Sequence, residues 1–155
     1  MASLWAGIAH SSANVALPAF FPKQAYVQLK AIASAESDWS GRLVHDYALD
    51  IAAAHALLGA NASSAQFVAV NVQSSYGHWV PPGVCANGIG YYEMPGARLV
   101  YRQRGQIRSF GIASMISWRG VWYVVHLGAI LRPDGGGVVD DASTGAGASA
   151  PSSTC

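Results

Sequence analysis

Two Arg-Gly dipeptides, Arg104-Gly105 and Arg119-Gly120, cut the stretch from Leu99 to Leu127 into three runs of β-forming residues. Glycine takes positive φ without steric cost, so each dipeptide suits a two-residue hairpin turn. Leu99–Gln103, Gln106–Ser117 and Val121–Leu127 are therefore expected to be successive strands of an antiparallel meander. Turns of fixed length also set the register. Gln103 then faces Gln106, Tyr101 faces Arg108, Trp118 faces Val121, Ile116 faces Tyr123 and Ala113 faces His126.

Alternation along these strands sorts the side chains onto two faces. One face carries Leu99, Tyr101, Phe110, Ile112, Ile116 and Tyr123, and must pack against other elements. The second carries Val100, Met115, Trp122, Val124 and His126 with Arg98 and Arg102. It is too apolar for a solvated surface, so it too is expected to be covered.

The first half of the chain has a different period. Pro22 suits the first turn of a helix, and Lys23–Ala35 is rich in helix formers. A second helix is expected from Arg42 to Leu58, where Leu43, Tyr47, Ile51, Ala54 and Leu58 recur at three- and four-residue steps and Gly59 follows as a stop. Gln66–Val72 reads as a first strand. Tyr76–Gly96, dense in Gly and Pro, reads as a long loop with a short strand at Gly90–Glu93. Residues 1–21 show no clear period and are taken as an arm. Residues 133–155 are a Gly/Ala/Ser-rich tail expected to be disordered. The expectation is one α+β domain over residues 22–132, helices packed on an antiparallel sheet.

Hydrophobic residues make up 52% of the chain and charged ones 11%, against a usual charged share of about 25%. That excludes a disordered protein and suggests apolar surface left for a partner or ligand. The net charge of +1 argues against a nucleic-acid binder. No apolar run reaches the roughly 18 residues of a membrane helix, and residues 1–21 lack the basic start of a signal peptide; both a cytoplasmic and an exported location stay open. Cys85 and Cys155 are read as two unpaired thiols, a disulfide between them being the alternative. Neither a phosphate loop, a dinucleotide fingerprint, a nucleophile elbow nor a Cys/His metal spacing is present, so no cofactor and no metal are expected. Six arginines and no acid fall between Met94 and Pro133, a local charge suited to an anionic ligand.

Helices first, then a strand, a long loop and a meander closing with Ile116-Ser117-Trp118-Arg119-Gly120-Val121-Trp122-Tyr123-Val124-Val125: this order resembles the NTF2-like, cystatin-type α+β superfamily over residues 23–131. The resemblance implies a curved sheet forming a cone with the helices. Its members include small-molecule isomerases, cyclases and dehydratases as well as non-catalytic binding modules, and they often pair through the outer face of the sheet.

Two functional readings follow. The first is a non-catalytic small-molecule-binding or assembly module, homodimeric through the sheet face carrying Met115, Trp122 and Val124, with a small apolar or anionic ligand. The rival is an isomerase-, cyclase- or dehydratase-type enzyme with a cavity between the second helix and the sheet. Candidate ligand-contacting residues are Tyr47, Tyr101, Phe110 and Tyr123, with Trp79 of the long loop as a rim. Asp50 and His126 are the candidate catalytic groups, since a carboxylate or imidazole in a pocket is a tunable base. On the regular register Asp50 points away from the helix stripe and His126 lies on the outer face, among the small residues Gly111, Ala113 and Gly128. A one-residue bulge in the strand Gln106–Ser117 would change the neighbours of His126.

Overall fold

The computed structural model describes residues 1–132 and 134–151. Five α-helices, α1 (Ala2–Ala9), α2 (Ala13–Ala16), α3 (Lys23–Leu29), α4 (Ala35–Asp38) and α5 (Val44–Leu58), precede an antiparallel sheet. Its strands are β1 (Gln66–Asn71), β2 (His78–Val80), β3 (Tyr91–Gln103), β4 (Gln106–Trp118), β5 (Val121–His126) and β6 (Asp140–Thr144). The long strands β3 and β4 form the spine. Strands β1 and β2 pair with opposite halves of β3, and β5 and β6 with opposite halves of β4, so the sheet stays open. The α+β class is as the residue pattern implies.

Both Arg-Gly turns have positive φ at both residues, 50° and 75° at Arg104-Gly105 and 51° and 81° at Arg119-Gly120. That twist matches the strands they join. The expected pairs Gln103–Gln106, Tyr101–Arg108, Trp118–Val121 and Ile116–Tyr123 all form. The pair Ala113–His126 does not. Consecutive residues Ser114 and Met115 pair with His126 and Val124, leaving Val125 as an extra residue on β5. Because side chains alternate with a period of two, this bulge turns His126 to the opposite face from that expected.

The helices also depart from expectation. Helix α3 ends at Leu29, because Lys30 turns extended to bridge Asn87 while Ala31 N and Gly88 N bond across to Ala86 O and Leu29 O. Helical structure resumes at Ala35 and passes through a wide π turn, Trp39–Leu43, into α5. Residues 1–21 are more than an arm. Leu4, Ile8, Ala16, Phe20 and Phe21 are buried, and Trp5 packs on Phe67 and Tyr101. Helix α1 thus covers one end of the inner face of the sheet.

The expected disordered tail is corrected as well. Within it, β6 pairs with β4, Arg108 opposite Thr144 and Gly111 opposite Asp140. Backbone ladder bonds and ions hold the segment where apolar burial is scarce: Arg98 Nη1 donates to Asp141 Oδ2 at 2.7 Å. Part of the outer sheet face, around Gly96, Arg98 and Gly111, is covered by this segment, so closely that neither Gly96, against Ala150 O, nor Gly111, against Asp140, has room for a side chain. Residues 133 and 152–155 lie outside the described residues. No helix among those described is long and apolar enough to cross a membrane.

Asp50 closes the assembly. Tyr47 to Asp50 and Asp50 to Ala54 are steps of three and four, so Asp50 stands on the buried stripe of α5, not away from it. At 1% exposure its carboxylate accepts four hydrogen bonds within 3 Å: two from Arg132, at 2.7 and 2.6 Å, and one each from Gly128 N and Val138 N, both at 2.9 Å. Asp50→Asn places amide hydrogens among donors and leaves the Arg132 guanidinium uncompensated. The expected loss is about 3–5 kcal/mol, read as a lower urea midpoint. Asp46→Asn, whose carboxylate stands 3.7 Å from Arg132 Nε and is partly exposed, should cost about 1 kcal/mol or less.

Candidate functional site

Between α3, the π turn and the paired ends of β3, β4 and β5 lies a cavity of about 270 Å³. It lies at the end of the inner sheet face that α1 leaves free. Each polar group in it is placed by a local device already described. The bulge at Val125 turns His126 inward beside its cross-strand neighbour Ser114. The early end of α3 brings Tyr26 and Lys30 to one wall, and the π turn, whose Trp39 Nε1 donates to Phe21 O at 2.8 Å, aims Arg42 at another. Such wide turns recur at functional sites because they redirect one side chain within a helix. Glu93 comes from the start of β3, next to Pro95, which pairs with Ser114.

The polar groups of the wall are engaged by two carboxylates, Asp38 behind Tyr26 and Arg42, and Glu93 in the cavity itself. Tyr26 OH donates to Asp38 Oδ2, and Arg42 clamps the same carboxylate through Nε at 2.7 Å and Nη2 at 2.6 Å. The Arg42 contact holds the Asp38 carboxyl below its usual range, while burial and then the bond to Asp38 push the Tyr26 phenol up. The second carboxylate is Glu93, 3% exposed. Ser114 Oγ donates to its Oε1 at 2.7 Å, and His78 Nε2 stands 3.3 Å from its Oε2. A buried carboxylate of this kind requires such partners, since burying it alone is costly.

The sheet wall also carries Tyr91, whose phenol burial pushes up, and His126. Burial above all, then the guanidinium groups of Arg42 and Arg132, pull the pKa of His126 from 6.5 down to about 4. The ring is therefore a neutral imidazole at neutral pH, with one nitrogen able to accept a proton. Lys30 Nζ donates to Cys85 O at 2.7 Å and lies 5.9 Å from the Tyr26 ring centre. Burial and then Arg42 lower its pKa as well.

Of the two candidate catalytic groups, His126 lines this cavity and Asp50 does not: the four bonds of Asp50 make it a structural anchor. The five candidate ligand contacts lie elsewhere. Tyr47 is buried against Phe20 with its hydroxyl on Ala16 O at 3.2 Å, and Tyr101 packs between Trp5 and Phe110. Tyr123 meets Phe21 edge-on, and Trp79 is half exposed against Tyr92. The space expected between the second helix and these residues is filled, because α1 enters it. Tyr26, Lys30, Arg42, Glu93 and Ser114 were not among the candidates. For Glu93 and Ser114 the signal was present, since both fall on the inner face of a correctly extended β3–β4 register.

Cys85, at the cavity wall, is disulfide-bonded and not the free thiol expected; Cys155 lies outside the described residues. The six-arginine cluster is partly neutralised from outside its own segment, Arg98 by Asp141 and Arg132 by Asp50.

A His whose folded pKa is depressed contributes stability that is present above its unfolded value and is lost as pH falls through the folded one. For His126 that window runs from 6.5 down to about 4. The thermal midpoint of the protein should fall across this window, and that of His126→Gln should fall less; parallel curves would show that the imidazole is not held neutral by the fold. Against known proteins, no family model, no curated protein and no solved structure matches this chain.

Proposed function

We propose that the chain is a small-molecule acid–base catalyst of the isomerase, cyclase or dehydratase kind, working in the cavity of an NTF2-like cone. The observation that carries this reading is the bulge at Val125, which turns His126 into the cavity beside Ser114 and its hydrogen-bonded Glu93. In this reading His126, neutral at neutral pH, accepts a proton from the ligand. The Glu93 carboxylate, oriented by Ser114, is the second proton-handling group. Geometry comes first in such an assignment and pKa second, and here both groups line one small cavity. The cavity is slightly below the roughly 300–1,000 Å³ of sites for drug-sized ligands, so the ligand is compact.

A generic assay for proton abstraction follows. A panel of compact ketones, hydroxy acids and unsaturated acids is incubated with the protein in deuterium oxide, and exchange at acidic carbon positions is followed by proton NMR. At least one compound should exchange at least about tenfold faster with the wild-type chain than with a folded His126→Gln variant, the lower part of the usual contribution of a general base being about 10². Binding without any enhanced exchange would instead favour a non-catalytic module.

The second reading, an assembly module, draws on a patch of the outer face that the C-terminal segment leaves uncovered. Met115 and Val124 are buried within the chain itself, at 3% and 0% exposure, whereas Trp122 is 39% and Val72 50% exposed beside a pocket they share with Met94. Light scattering decides this: a dimer that Trp122→Glu converts to a monomer supports it, and a wild-type monomer removes it.

A further inference from the structure

Lys30 is a cation of the cavity wall that, unlike Arg42, has no carboxylate in contact among the described residues. An ammonium has three N–H donors and no acceptor, and Lys30 Nζ spends one on Cys85 O. The two carboxylates near enough to act on it are both engaged. Asp38 is clamped by Arg42 and Tyr26, and Glu93 by Ser114 with His78 alongside. Lys30 feels them only as charges at longer range, behind the larger effects of burial and of Arg42. A half-buried cation without a carboxylate in contact is stabilised by any anion that enters the cavity, and charge-assisted bonds of that kind are among the stronger ones available.

We infer that the ligand of this cavity is a compact organic carboxylate, its anionic group held by Lys30 and its carbon frame lying toward His126. This deepens the acid–base reading, on which it rests. The frame has an apolar bed in Leu29, Leu43, Ile116, Val125 and Ile130. Its size is bounded by the space: about 270 Å³ equals the share of about nine waters at roughly 30 Å³ each. Apolar contact selects against inorganic anions, which have nothing to lay against those side chains.

The test uses the full chain and a matched pair of probes, benzoate and benzamide, alike in shape and different in charge, with inorganic phosphate as the third. Affinity is read by calorimetry and by chemical-shift changes of the His126 ring. Benzoate should bind at least about tenfold tighter than benzamide, and than phosphate, and should shift the His126 resonances. In Lys30→Met that preference should vanish. Lys30→Gln, which keeps a donor for Cys85 O and loses the charge, gives the same reading should the methionine variant fold poorly. His126→Gln should retain the preference while losing deuterium exchange, which separates this inference from the catalytic one. Equal binding of acid and amide, a preference that survives both Lys30 variants, phosphate binding as tightly as benzoate, or no benzoate binding at all would each overturn the assignment of a carboxylate.

Discussion

The rest of the structure hangs on one buried carboxylate. Asp50 sits on the core face of α5, where an unpaired charge would cost several kcal/mol. It is compensated only if the chain beyond β5 returns to supply donors. Gly128 N, Val138 N and the Arg132 guanidinium do so at 2.6 to 2.9 Å. One side chain therefore fixes α5 against the exit of β5 and against the segment leading to β6. The consequences reach both sides of the sheet. On the inner side the end of β5 is held where its bulge turns His126 inward. On the other side the chain is delivered to the edge of β4, where β6 pairs and Asp141 meets Arg98.

The two turns and the four nearest strand pairs could be read from residues 99–127, because turn length fixes register locally and nothing distant intervenes. The fifth pair failed at the first point where the ladder is irregular. A single extra residue at Val125 is invisible to an alternation count, since Val124-Val125 reads as strand on either register. Yet that residue decides the site. On the regular register His126 is an outer-face group among small neighbours; with the bulge it shares a cavity with Ser114 and Glu93. Bulges are frequent beside functional groups because they re-aim one side chain without disturbing the strands around it.

Other losses have different causes. The arm at 1–21 has no Asp, Glu, Lys or Arg to mark a face, so its helices leave little periodic signal, although Leu4, Ile8 and Phe20 are among its most buried side chains. Missing that plug misplaced the cavity, which lies beyond the aromatic residues α1 covers. The tail was misjudged for a converse reason. Its composition argues correctly that it buries little apolar area, but it is held by ladder bonds and by ions donated from elsewhere. Asp50 was misread on geometry alone, since a residue three from Tyr47 and four from Ala54 lies on the same stripe as both.

Electrostatics then determine what the cavity can accept. Of the two carboxylates nearest it, Asp38 is paired with Arg42, and Glu93 accepts a hydrogen bond from Ser114 with His78 near. His126 is kept uncharged by burial and by the guanidinium groups around it. What remains is a neutral base on the sheet wall and an ammonium on the helix wall. In so small a space an anion at Lys30 would satisfy the two donors that have no partner among the described residues. Its presence would also offset the positive field that keeps the imidazole deprotonated, raising the basicity of His126 in the complex relative to the empty cavity. Binding and proton acceptance are thus coupled by charge, and a ligand lacking the anionic group would meet a weaker base as well as a weaker anchor.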